Sequence, residues 1–168
     1  VSMQQIRVYL VLTFLCWSSI LNQVNCARWT VEQANSWYES QPLFFGANFV
    51  PSTAVNAIDV WQTFDVATIE RELKMASDIN MNIIRVNLHY LVYQQDPEDY
   101  YKKMDGFLSI ADKFNIKVMF ILFNECWLPD PKLGPQPDPI PGVHNSQWVR
   151  CPGQPLLLDT SKWPLLKQ

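Results

Sequence analysis

Basic clusters are missing from this sequence. Of its 168 residues, 13 are Lys or Arg and 16 are Asp or Glu, for a formal net charge of -3, and no run of either basic residue stands out. Nucleic-acid binding wants a basic patch, and adsorption to an anionic membrane wants a basic amphipathic face; neither partner is expected. Glycine is scarce, with five residues in all, and the segment GANFVPS at 46–52 is neither G-x-G-x-x-G nor a P-loop. A phosphate-cradling turn after a first strand is thereby excluded, which counts against a nucleotide-binding sheet. Histidine occurs only at His89 and His144, and there is no C-x-x-C pair. A structural zinc site is not expected from such a donor set, and no other metal or organic cofactor is implied.

What is present begins with a hydrophobic N-terminus. Arg7 precedes the apolar run VYLVLTFLCW at 8–17, polar residues follow, and Val24-Asn25-Cys26 place smallish side chains before Ala27. The order basic, apolar, cleavable reads as a signal peptide over residues 1–26. The run is shorter than the roughly 20 residues a membrane span requires. The expected mature chain, 27–168, is secreted and carries no membrane anchor once the signal is cleaved. It retains two of the four cysteines, Cys126 and Cys151. In an oxidising compartment these two can pair, closing a loop worth roughly 3 kcal/mol in the chain-entropy account.

Along the mature chain, periodicity predicts alternating helices and strands. TVEQANSWYES at 30–40 reads as a short helix, with Thr30 and Gln33 as a capping box. LFFGANFV at 43–50 is a first buried strand. Asp65 caps a helix running to about residue 80, with Ile69, Leu73, Ala76 and Ile79 as its apolar stripe. NIIRVNLHY at 82–90 is a second strand. Asp96-Pro97-Glu98-Asp99 then starts a helix to about residue 114, with Phe107, Leu108 and Ala111 facing inward. IKVMFILF at 116–123 is a third strand, and Asp159 can cap a last helix starting near Lys162. The order β-α-β-α-β means parallel strands joined by helical crossovers. Doubly wound sheets and barrels both begin in this way. The stretch 126–155 holds eight of the twelve prolines together with Trp127, Trp148 and Cys151. Proline at that density forbids helix and central strand, and the aromatics favour a packed lid over a flexible spacer.

In parallel α/β folds the working residues gather at the C-terminal ends of strands. Those ends offer Asn48; Arg85, Asn87 and His89; and Asn124, Glu125 and Trp127. The segments GANFVPSTAVN (46–56), NIIRVNLHYLVYQQDPE (82–98), FILFNECWLPDPKLGPQPDPIPGVHNSQWV (120–149) and CPG (151–153) resemble the N-terminal part of cellulase- and mannanase-like glycoside hydrolases, members of the (β/α)8-barrel clan that includes family 5. The resemblance implies an incomplete (β/α)8 TIM barrel, its first three βα units plus the start of a further helix. It implies a secreted hydrolase acting with retention on a β-linked oligo- or polysaccharide. Retention takes two carboxyl groups about 5–5.5 Å apart, which the clan supplies as glutamates on strands four and seven. Neither strand falls within the three read here, so the 168-residue chain is expected to be inactive alone.

Roles for the candidates follow in the same terms. The clan's arginine holds the nucleophile's carboxylate, and Asn82-x-x-Arg85 matches its pattern; the competing role for Arg85 is to satisfy a structural acid. Asn124-Glu125 resembles the clan's Asn-Glu acid/base pair, but it ends strand three and is followed by Cys126-Trp127 instead of Pro. Glu125 is thus a weak acid/base candidate and a better polar contact to substrate or ion-pair partner behind the site. His89 either hydrogen-bonds sugar hydroxyls or sits under the loop. Trp127 either stacks on a sugar or fills the mouth, and Asn48 either binds a hydroxyl or satisfies backbone. The alternatives to an enzyme are a non-catalytic secreted carbohydrate-binding protein and a truncated gene product without activity.

Overall fold

The computed structural model describes residues 28–125 and 127–167, in two compact units divided between Pro42 and Leu43. The expected signal segment lies outside the described residues. The first unit contributes helix α1, Val31–Glu39. Its start is the capping box anticipated from sequence: Gln33 N–H donates to the Thr30 hydroxyl, and Thr30 N–H to the Gln33 side-chain oxygen.

In the second unit three parallel strands lie side by side in the order β1 (Gly46–Asn48), β2 (Ile83–Asn87), β3 (Lys117–Ile121). Between β1 and β2 come α2 (Ala57–Thr63) and α3 (Val66–Asp78); between β2 and β3 come α4 (Tyr90–Gln95) and α5 (Pro97–Lys113). A long irregular loop leads on to α6 (Gln154–Leu157) and a 3-10 segment, Thr160–Lys167. The expected β-α-β-α-β order holds, and the architecture is mixed α/β with a small parallel sheet. Three helices were not anticipated, among them α6, which begins inside the stretch read as loop. Each crossover opens with a short helix, α2 and α4, before the long one begins.

The first strand is shorter than the apolar run that predicts it. Asn82 explains the loss at its N-terminal end: its side-chain oxygen accepts from Phe45 N–H at 2.8 Å, and its amide donates to Leu43 O at 2.8 Å. That side chain takes over the pairing that a ladder would otherwise make. Gly46 is required where β1 meets β2, because a Cβ there would lie 1.6 Å from Ile83 O.

Strand alternation gives the sheet two unlike faces. Ile84 and Val86 of β2 and Val118 and Phe120 of β3 turn toward the helices. They pack with Ile69 and Leu73 of α3 and Phe107 and Ala111 of α5, so both crossovers cover the same face. At the centre is Trp61 of α2, fully buried, its ring 5.2 Å from Tyr100, 5.9 Å from Phe107 and 6.2 Å from Phe120. Its indole N–H donates to Asn87 O at 2.8 Å. Truncating such a ring costs roughly 3–5 kcal/mol. Two residues assigned to apolar stripes fall outside them. Ile79, one residue beyond the end of α3, is 59% exposed, and Leu108, a helical step past Phe107, is 41% exposed.

Candidate functional site

The second face of the sheet carries no helix of this unit's core. Register places Asn48 beside Arg85 and Arg85 beside Met119, one row across three strands. All three are exposed. Arg85 Nη1 donates to Asn48 Oδ1 at 3.2 Å. Arg85 makes no ion pair among the described residues. The row reads polar, charged, apolar, where a parallel sheet packed on both sides reads as continuous apolar runs.

His89 has a different position. It is fully buried, two residues past β2, and it caps α4: Leu91 N–H donates to Nδ1 at 3.3 Å. Nε2 lies 3.0 Å from Arg150 O. A carbonyl can only accept, so the proton sits on Nε2 and the ring is neutral. Burial pushes the imidazole down to about 4, against the smaller opposing effect of the Arg150 carbonyl. Its backbone N–H donates to the Tyr100 hydroxyl at 2.9 Å. With both ring nitrogens engaged by backbone and no exposed surface, His89 sits under the loop and leaves no group for a sugar.

The two ends of the long loop are paired and its last part is buried, while most of residues 127–146 are exposed. Asn124 and Cys151 exchange backbone hydrogen bonds, 3.0 and 3.2 Å, as an antiparallel bridge, and Leu128 bridges to Val149. Val149 and Cys151 are buried. Cys151 carries a free thiol, held between Tyr90 N–H and Leu122 O at 3.2 Å each, and burial pushes it up to about 11. Cys126, its expected disulfide partner, lies outside the described residues.

At the base of the loop, Glu125 is exposed and Trp127 is 47% exposed. Trp127 has a positive φ of 75° and meets His144 edge-on at 6.3 Å. Asn124 Oδ1 is buried and has no hydrogen-bond partner among the described residues. The candidates thus fall into three settings: Asn48 with Arg85 on the open face, Asn124 with Glu125 and Trp127 at the loop base, and His89 in the interior.

Sequence reasoning missed Asn56. It is 1% exposed and uses every hydrogen-bonding group of its amide. Oδ1 accepts from Ile58 and Asp59 N–H, capping α2; Nδ2 donates to Gln136 Oε1 and Gln147 O, both at 2.9 Å. The signal was an Asn directly before AIDVW, an N-cap position.

Among the described residues no cluster of three or more His, Cys, Asp or Glu can hold a metal ion. None of their helices is long and apolar enough to cross a membrane. The chain matches no protein-family model, and neither the curated proteins nor the solved structures contain a match to it.

Proposed function

We propose that this chain forms the first three βα units of a (β/α)8-barrel glycoside hydrolase, secreted and retaining, with a β-linked oligo- or polysaccharide as substrate. The observation that carries the reading is the Arg85–Asn48 pair on the uncovered face of the sheet. In a barrel that face lines the interior, and polar groups near the C-terminal strand ends meet the substrate. A doubly wound sheet would bury the same face under apolar helix, a poor place for a guanidinium without an acid. In this reading Arg85 donates to the carboxylate of the nucleophile and keeps it ionised and aimed. Asn48 fixes the guanidinium, and Trp127 offers a ring face to the sugar. Glu125 is a polar contact at the mouth.

The test begins with the full coding sequence of the protein. The reading expects a strand-end Asn-Glu in the next βα unit and a second strand-end Glu three units later. In the protein so encoded, Arg85→Ala should lower turnover on β-glucan, mannan or xylan by about 10²-fold or more, the scale of losing one preorganised donor. The product's anomeric configuration, followed by NMR, should be retained. Inversion, a full sequence without those glutamates, or an Arg85→Ala protein of unchanged turnover overturns the reading. Saturable sugar binding with no turnover would establish the non-catalytic carbohydrate-binding alternative instead.

A further inference from the structure

We infer that Asn145 is a site of spontaneous covalent modification, the deamidation of its side chain through a succinimide, and that the reaction loosens the long loop. The attacking group is the backbone nitrogen of the following residue, so a small, polar neighbour favours it. No asparagine of the chain precedes glycine, and two precede serine, Asn35-Ser36 and Asn145-Ser146. Serine leaves the nitrogen unhindered, and its hydroxyl draws charge from it and eases deprotonation. The fold separates these two like dipeptides. Ser36 stands inside the capped helix α1, Val31–Glu39, where the helical ladder takes its N–H. Ser146 N–H and the Asn145 side-chain amide have no hydrogen-bond partner among the described residues. Asn56, before the small Ala57, is the opposite case: its buried amide is held by Ile58, Asp59, Gln136 and Gln147. Asn145 also sits in the left-handed region, at a φ of 53°, which L residues enter at a cost. One backbone hydrogen bond keeps it there, from Trp148 N–H to Asn145 O at 3.0 Å. The turn can thus open to the attacking geometry without unravelling a helix or strand. In the reaction Ser146 N gives up its proton and bonds Asn145 Cγ; the Cγ–Nδ2 bond breaks, and ammonia leaves with that proton. Water then opens the five-membered imide at either carbonyl, to aspartate or to isoaspartate. Isoaspartate carries one more methylene in the main chain, so the 145–148 turn no longer closes. Gln147 lies within that turn, and its carbonyl is what Asn56 Nδ2 holds at 2.9 Å. The clasp between loop and α2 slackens with it. The inference stands independently of the glycosidase reading.

Ageing the whole chain at mildly alkaline pH, with peptide mapping by tandem mass spectrometry, follows each asparagine. Asn145 should lose its amide about tenfold faster than Asn35 or more, since the helix must open locally before Ser36 can react. In urea the two dipeptides are chemically alike, and their rates should converge; this comparison needs no variant. Ser146→Val, whose branched Cβ crowds the nitrogen, should slow the conversion at Asn145. Isoaspartate at 145 is counted by enzymatic carboxyl methylation, and the aged chain should be cut faster between residues 129 and 147 in limited proteolysis. An Asn145 that keeps its amide in the folded chain while losing it in urea overturns the inference. So does conversion of Asn35 as fast as Asn145 in the folded chain. Isoaspartate-bearing chain that is cut no faster than fresh chain overturns the effect on the loop.

Discussion

At the scale of single residues, His89 makes the sharpest statement. Its ring is held neutral by burial, at about 4 where an exposed imidazole titrates near 6.5. The sign follows from which state takes up the proton. Between these values the unfolded chain is protonated and the folded one is not, so acid favours unfolding. The stabilisation is complete above about pH 6.5 and is lost as the pH falls toward 4, to a total of roughly 3 kcal/mol. The nearest titratable neighbours, Tyr100 and Cys151, are both pushed upward by burial and stay neutral throughout that window. Urea midpoints taken from pH 7 to pH 4.5 should fall, and His89→Gln should flatten the fall while lowering stability at pH 7. A wild-type midpoint that is level across this range would contradict the assignment. Position in sequence identified His89 as a strand-end histidine; it could not show that the chain returns as Arg150 to close over it, 61 residues later. Arg85 was easier to place, because a charge in the middle of IIRVN has only one face on which it can avoid the core.

At the scale of elements, Asn56 joins two tasks that substitution can separate. An aspartate keeps the oxygen that caps α2, but it has no N–H for Gln136 and Gln147. Asn56→Asp should therefore leave helix content unchanged and loosen the loop, seen as faster cleavage between residues 129 and 147 in limited proteolysis. Asn56→Ala loses both roles and should cost a further 0.5–2 kcal/mol or so, the range for an N-cap. Equal proteolysis of wild type and Asn56→Asp would show that the clasp does not hold the loop. The long helices α3 and α5 were legible because capping and period agreed: Asp65 accepts from Thr68 N–H, and Asp96 from Asp99 N–H. The short helices were not, since seven residues of α2 and six of α4 span too few turns to show a period. The strand ends were overestimated because apolar sequence continues past the ladder: Leu122 and Phe123 follow β3 at 64% and 47% exposure.

For the molecule as a whole, these exposures predict behaviour in solution. Met119, Leu122 and Phe123 lie exposed in and just past β3, whose far edge is unpaired in the described sheet. Exposed apolar residues beside an open strand edge are a template for association. Sedimentation velocity of the 168-residue chain should show concentration-dependent self-association, reduced by a charge at Leu122. Assays of the same chain on β-glucan, mannan and xylan should show no turnover, with Glu125→Gln as control, because general acid/base help worth about 10²–10⁴-fold needs two groups across one bond. Turnover that disappears in Glu125→Gln would restore that glutamate as the acid/base. One consequence of the two-faced sheet remains. The strand sequences GAN, IIRVN and KVMFI contain two cations, Arg85 and Lys117, and no anion, and register sets both cations on the uncovered face. Behind them lies a slab of aromatic and aliphatic side chains of low permittivity. Field lines that enter such a slab are poorly screened, so the potential of these two charges is pushed outward into solvent on one side. In a molecule that is net anionic, the uncovered face of these three strands thus carries cations and no anion.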